Sequence, residues 1–252
     1  MREALSVLIP CFNNEDIIET CLQSVRWADE VVVCDSFSTD GTLDIARRYA
    51  DHIIQHEYGN SASQKNWAIP QMSAPWILIV DTDERVSPAL RHEIERVLED
   101  PGGRTAFRIP RANHVFGRWL RNGGNWPDYQ IRLFRRDCAR YQDREVHAHM
   151  IVEGEVGTLR NPLLHFPHRS LGSFRRVLLQ RYTTWEAMEK HKQGVRFHWH
   201  SLLIRPAGAF ADRYLVKRGY RDGWQGLFMA SLWLVYVVMT YLKLRKLQLA
   251  PQ

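Results

Sequence analysis

A chain of 252 residues, 45% of them hydrophobic, holds one large domain, or one with an appendage, and is too apolar for a disordered or fibrous protein. The formal charge of +6 is localised: from Arg205 onward there are eight Lys/Arg against two Asp/Glu, and this stretch flanks the most apolar run of the chain, residues 227–242. That pairing fits an anionic membrane surface better than nucleic acid, so no nucleic-acid partner is expected.

Residues 5–10 form a short apolar run closed by Pro10, too short for a secretory signal and preceded by an acidic residue, so a cytoplasmic protein is expected. Residues 15–27 place Ile17, Ile18, Cys21, Leu22 and Val25 at helical spacing. A second apolar run at 30–35 leads through a Ser/Thr/Asp turn into a helical stretch at 42–49. Residues 51–55 read as a third strand, 61–69 as a helix, and 76–80 as a fourth strand running into Asp81. Strands alternating with helices imply a parallel α/β sheet, and runs such as Val31–Val33 imply strands buried on both faces. Ligands of such sheets sit at the carboxyl ends of the strands, where Pro10, Asp35 and Asp81 fall.

From about residue 105 the pattern becomes mixed, with short strands at 107–110, 131–134 and 150–153 between turns rich in Gly, Asn and Pro. Residues 171–191 and the region after Pro206 read as helical. Cys11, Cys21, Cys34 and Cys138 form no CxxC pair and read as reduced thiols, mostly buried.

Five segments can carry chemistry. Asp81-Thr82-Asp83-Glu84 follows a buried strand, where alternate carboxylates can share a divalent cation with phosphate oxygens. The other reading is an acidic turn or a helix cap before Pro88. Asp35, at the end of the second strand, can hydrogen-bond a ribose or base edge, while Asp40 reads as a turn residue. Lys65, within Gln64-Lys65-Asn66, can meet a diphosphate as a point charge or lie on the surface. The segment 123–132 joins a glycine loop to Trp126, Asp128 and Arg132, which suit a sugar as stacking face, base and clamp; Trp126 can equally fill a core. His147 and His149 stand two apart without a third nearby ligand, so no metal role is assigned, and His147 is read as an acceptor or phosphate contact.

Residues 5–15, 27–40, 64–66, 81–85 and 127–136, in this order and spacing, resemble family 2 glycosyltransferases of the GT-A fold, most closely the lipopolysaccharide core β-1,4-glucosyltransferase type. The likeness extends to later segments such as 219–224. It implies a mostly parallel central sheet flanked by helices, with a helical, apolar C-terminal extension. Residues 1–104 would be the nucleotide-sugar half, 105–200 the acceptor and catalytic half, and 201–252 a membrane-associating region. By resemblance, Pro10, Phe12, Glu15 and Asp35 contact uridine, Lys65, Asp81 and Thr82 lie near ribose and diphosphate, and Asp83 with Asp81 holds Mg or Mn.

Asp128 matches the family's catalytic carboxylate, and Glu145 is the second candidate. Family members of this type read Val-His-Glu where this chain has Val146-His147-Ala148, which removes an acid from that position. The resemblance implies inverting transfer of a hexose, glucose favoured, from a UDP-sugar to a lipid-linked or lipopolysaccharide-core acceptor. The enzyme would sit peripherally on the inner face of the cytoplasmic membrane. A polyprenyl-phosphate or other cell-envelope polysaccharide acceptor, a non-catalytic nucleotide-sugar module, and a phosphatase are the alternatives. The run 227–242 spans roughly 24 Å as a helix, short of a ~30 Å hydrocarbon core, and is expected to lie in the membrane surface or in a core.

Overall fold

The computed structural model describes residues 2–142, 149–167 and 182–249. The expected helix at 171–191 therefore lies partly, and the candidates Glu145 and His147 entirely, outside the described residues.

The first half follows the expected alternation. Strands β1 (Leu5–Cys11), β2 (Glu30–Asp35), β3 (His52–Gln55) and β4 (Trp76–Ile79) are joined by helices α1 (Ile18–Val25), α2 (Thr42–Ala46) and α3 (Ser61–Ala68). Strand β1 lies between β2 and β4, parallel to both, with β3 parallel outside β2. Odd and even positions of these strands feed two cores. Val7, Ile9, Val31, Val33 and Leu78 pack with Ile18, Leu22, Leu90 and Ile94, while Leu8, Val32, Cys34, Ile77 and Ile79 pack with Ala68, Met72 and Phe134. Apolar side chains on both faces are what turn an alternating pattern into a continuous run. Each such side chain, fully buried, is worth about 1.5–3 kcal/mol.

After β4 come β5 (Glu84–Val86), α4 (Pro88–Glu99), β6 (Arg104–Val115), β7 (Arg118–Trp119), β8 (Asp128–Arg135), β9 (Ala139–Tyr141), β10 (Met150–Val152), β11 (Glu155–Thr158) and β12 (Leu163–His165). Strand β8 is antiparallel to both β4 and β6, and β12 is antiparallel to β5, so the sheet runs β3-β2-β1-β4-β8-β6-β12-β5. The short β5 had no periodic signal, because three residues leave no room for one.

Among the described residues that follow are three α-helical segments, α5 (Thr183–Lys192), α6 (Ile204–Ala211) and α7 (Gly223–Leu249). Two compact units divide the chain by contact instead of by order: residues up to 112 with 128–165, and residues 113–127 with those from 166 onward. The expected boundary after residue 104 falls inside the first unit, because β6 and β8 complete the sheet that β4 begins. The one expected after residue 200 falls inside the second, because α5 packs on α7.

Cys11, Cys21 and Cys34 are buried and Cys138 is half-exposed. Burial pushes all three buried thiols up, Cys34 to about 11 with Asp35 adding to the effect. Since the thiolate is the reactive form, titration of the native protein with a disulfide reagent at neutral pH should modify Cys138 alone, and all four thiols only after unfolding.

Candidate active site

The carboxyl end of β4 and the start of β8 lie at the same edge because the two strands are antiparallel neighbours, with Leu78 opposite Leu133. This brings the acidic turn after β4 to Asp128. The helix-cap reading of that turn is excluded: α4 is capped by Ser87, whose hydroxyl accepts the Leu90 N–H at 3.2 Å, with Pro88 in the first turn.

A row of alternating charges connects the elements. Lys65 Nζ donates to Asp81 Oδ1 at 3.0 Å, and Arg132 Nη2 donates to Asp81 Oδ2 at 2.5 Å and to Glu84 Oε1 at 2.7 Å. Arg111 lies 3.6 Å from Glu84 and donates through Nε and Nη2 to Asp128 Oδ2, at 3.0 and 2.6 Å. Gln130 donates to the other Asp128 oxygen at 3.0 Å. Register explains the last contacts, since Arg111 of β6 stands directly opposite Asp128 of β8.

Burial alone would raise the Asp81 pKa, but Arg132 and Lys65 outweigh it and hold the carboxyl well below the usual range. For Lys65, burial pulls the ammonium down and Asp81 more than restores it. Glu84 is fully buried, and burial with Asp81 nearby pushes its carboxyl up against the pull of Arg132 and Arg111.

Gln64-Lys65-Asn66 occupies three separate places. Gln64 Nε2 donates to Ser36 Oγ at 2.6 Å, Lys65 reaches Asp81, and the Asn66 amide exchanges two hydrogen bonds with the backbone of Tyr141, at 2.8 and 3.0 Å. The surface reading of Lys65 is therefore excluded, as it is 6% exposed.

At the ends of β1 and β2 a second network shapes the edge. Asp35 is fully buried; Oδ2 accepts from Ser38 N and Gln55 Nε2, both at 3.0 Å, and Oδ1 accepts from Ser38 Oγ. Its carboxylate thus organises the turn. Glu15 accepts the Gly41 N–H at 2.7 Å, and Asp40 accepts from Thr42 and Glu15, as expected of a turn residue. Thr82 Oγ1 donates to Asn14 Oδ1 at 3.1 Å, which ties the acidic turn to the loop after β1. Pro10 is the next-to-last residue of β1, and Phe12 and Phe37, each about half exposed, follow β1 and β2.

For a cation the acidic turn supplies Asp83, whose Oδ2 lies 3.4 Å from His165 Nε2. Glu93 of α4 accepts the N–H groups of Arg160 and Asn161, at 2.9 and 2.8 Å, and so fixes the turn before β12; His165 then stands opposite Glu84 of β5. Asp81, expected to share the ion, has both oxygens committed to Lys65 and Arg132. Among the described residues no three or more His, Cys, Asp or Glu side chains are arranged to hold a metal ion by themselves. The Asp83 carboxylate fits an ion whose remaining ligands are diphosphate oxygens and water, the open arrangement usual for Mg2+, and the His165 imidazole beside it would favour a transition metal such as Mn2+ as a further ligand.

Arg132, expected as an acceptor clamp, is 5% exposed and held by Asp81 and Glu84, so it positions carboxylates inside the fold. Trp126 belongs to the second unit, half-buried edge-on against Trp119 at 5.0 Å. Arg111 and His165 have no signal in the sequence, and Glu84 is visible only as the last residue of the acidic turn. Arg111 and His165 are defined by strand register, which a single sequence does not display.

The family model for glycosyl transferase family 2 matches residues 6–183. The lipopolysaccharide core biosynthesis glycosyltransferase LpsC of Rhizobium meliloti is 30% identical over 248 residues, covering 95% of this chain and 91% of that protein. A glycosyltransferase of Rickettsia felis is 35% identical over an alignment of 278 residues, covering 98% and 90%. A mannosyltransferase from Pyrobaculum calidifontis, solved with GDP-Man and Mn2+, superposes with a TM-score of 0.57 at 17% identity, covering 97% of this chain and 88% of that one. The chain belongs to glycosyl transferase family 2. It has the GT-A fold and is a glycosyltransferase, which sets aside the phosphatase and non-catalytic readings.

Proposed function

We propose that the protein is an inverting, metal-dependent glycosyltransferase that moves a hexose, glucose favoured, from a UDP-sugar to a hydroxyl of a lipid-linked or lipopolysaccharide-core acceptor, forming a β linkage. The observation that carries this reading is the row from Lys65 through Asp81, Arg132, Glu84 and Arg111 to Asp128, which joins a cationic, diphosphate-suited end to a candidate base. The core acceptor is supported by the likeness to LpsC. The uridine donor rests on the sequence resemblance, since the superposed mannosyltransferase carries a guanosine nucleotide.

In the proposed step Asp128 takes the proton of the acceptor hydroxyl as its oxygen attacks the anomeric carbon. The bond to UDP breaks on the opposite face, and UDP leaves with the bonding pair. Lys65 offers positive charge to the departing diphosphate, Arg111 and Gln130 hold the Asp128 carboxylate in one orientation, and Arg132 fixes Asp81 and Glu84 beneath them. Mg or Mn, held by Asp83 with His165, would neutralise charge on the diphosphate when bound. The membrane-facing acceptor places the enzyme on the inner face of the cytoplasmic membrane, attached through its C-terminal helices.

Calorimetric titration of UDP and of GDP, with Mn2+ and with EDTA, tests the donor. UDP is expected to bind in a metal-dependent manner, and Asp83→Ala to weaken it by roughly tenfold or more, since a lost metal ligand commonly matters on that scale. Preference for GDP would overturn the uridine reading, and equal binding in EDTA the metal reading.

A further inference from the structure

Helix α7 carries an exposed apolar stripe. Trp224, Leu227, Ser231, Val235 and Leu242 are exposed, at intervals that return to one face of an α-helix. On the segment before it, Leu203, Ile204, Leu215 and Val216 are each more than half exposed. Arg218 and Arg221 precede the stripe, Lys243, Arg245 and Lys246 follow it, and no Asp or Glu lies between Gly223 and Gln252.

Length alone permits more than the 16-residue apolar run suggested. The helix has 27 residues and extends about 40 Å, beyond a ~30 Å hydrocarbon core, and by composition it is apolar enough to cross a membrane. Its neighbours decide otherwise. Helix α5 packs along α7 with Lys243 Nζ bonded to the Thr183 and Thr184 hydroxyls, both at 2.7 Å. The ion pair Glu186–Lys190, at 2.9 Å, lines a cavity of about 270 Å3 with Trp233, Tyr236 and Tyr241 from the middle of α7. A transverse α7 would draw that pair and its polar helix into hydrocarbon. With α7 in the plane of the membrane, the basic residues at both ends meet one layer of headgroups while the stripe enters the acyl boundary.

We infer that the Trp224–Leu227–Val235–Leu242 face of α7 is a docking surface for an anionic phospholipid leaflet, lying parallel to it and not spanning it. This rests on the proposed lipid-borne acceptor and specifies how the enzyme reaches it.

The test is co-sedimentation of the full chain with phosphatidylcholine vesicles, with and without phosphatidylglycerol, for the wild type and for Leu227→Glu/Val235→Glu. Binding should require phosphatidylglycerol, be reversed by salt and by alkaline carbonate, and fall roughly tenfold or more in the variant, while UDP binding is unchanged. Carbonate-resistant binding would mean a spanning helix and overturn the inference. So would equal binding to neutral vesicles, or a wild-type dimer in solution that the variant dissolves, since a second copy would then cover the stripe. The salt and carbonate arms use the wild type alone and remain decisive if the variant misfolds. Transfer to a delipidated saccharide in solution separates the two claims: its persistence without vesicle binding sinks the docking surface and spares the glycosyltransferase reading.

Discussion

Asp128→Asn is expected to lower kcat by about 10²- to 10⁴-fold, the usual worth of a positioned general base, with UDP affinity changed by no more than about twofold. The amide keeps the shape of the carboxylate but takes up no proton, and it leaves the Arg111 guanidinium, which lies 2.6 Å from Asp128, without its anionic partner. Arg111 still faces Glu84 at 3.6 Å, so the site retains a carboxylate to hold that cation and the fold has a reason to survive the change. Steady-state kinetics with a saturating donor, together with calorimetry of UDP, check this. A variant with near-normal kcat would remove Asp128 from the role of base, and one that loses UDP affinity instead would place it in donor binding. Arg111→Lys provides the control. It keeps the charge opposite Asp128 but loses the planar fork, so it is expected to lower kcat less than Asp128→Asn does.

What the sequence displayed here and what it withheld follow from the range of the interactions. Strands β1, β2 and β4 announced themselves because both faces are covered, so every position from Val31 to Cys34 must be apolar, and the acidic turn was visible because it follows the last of them directly. Asp128 stood out through its loop and through resemblance. Its partner Arg111 lies 17 positions earlier, and only the pairing of β6 with β8 makes the two neighbours. His165 reaches Asp83 across 82 positions through a strand of three residues. Asp35 and Arg132 show the opposite effect: their residue types and positions at the ligand edge suggested contact with substrate, whereas the surrounding turn and the two carboxylates take up their hydrogen bonds. A charged side chain near a site is as readily part of the frame as part of the contact surface, and the partners that settle its place are set by strand register and turn geometry. The apolar run of 16 residues likewise understated its helix, because Gly223 to Gly226 and the basic C-terminal turn continue the same hydrogen-bonded ladder without being apolar.

Arg132→Leu should destabilise the protein by about 3–5 kcal/mol, the range found when one member of a buried ion pair is removed and the other is left without its counter-charge. The loss is expected near the middle of that range: a single nitrogen serves two carboxylates, Asp81 at 2.5 Å and Glu84 at 2.7 Å, and Glu84 has no access to solvent, but Arg111 still faces Glu84 at 3.6 Å. Lys65 still neutralises one oxygen of Asp81, so the burden falls on Glu84, whose carboxyl burial already pushes up. In a unit of this size each kcal/mol moves Tm by about 2–4 °C, which gives a fall of roughly 10 °C or more by calorimetry. Arg132→Lys restores a charge without the guanidinium's reach to both carboxylates, and an intermediate Tm is expected. Glu84→Gln in the Arg132→Leu background should recover part of the loss by removing a buried charge that Arg111 alone then compensates, because partners in one network are not additive. Were the double variant less stable than the single one, the Arg132–Glu84 pair would not be what holds the turn after β4 against β8, and the positioning of Asp81 would have to come from Lys65 alone.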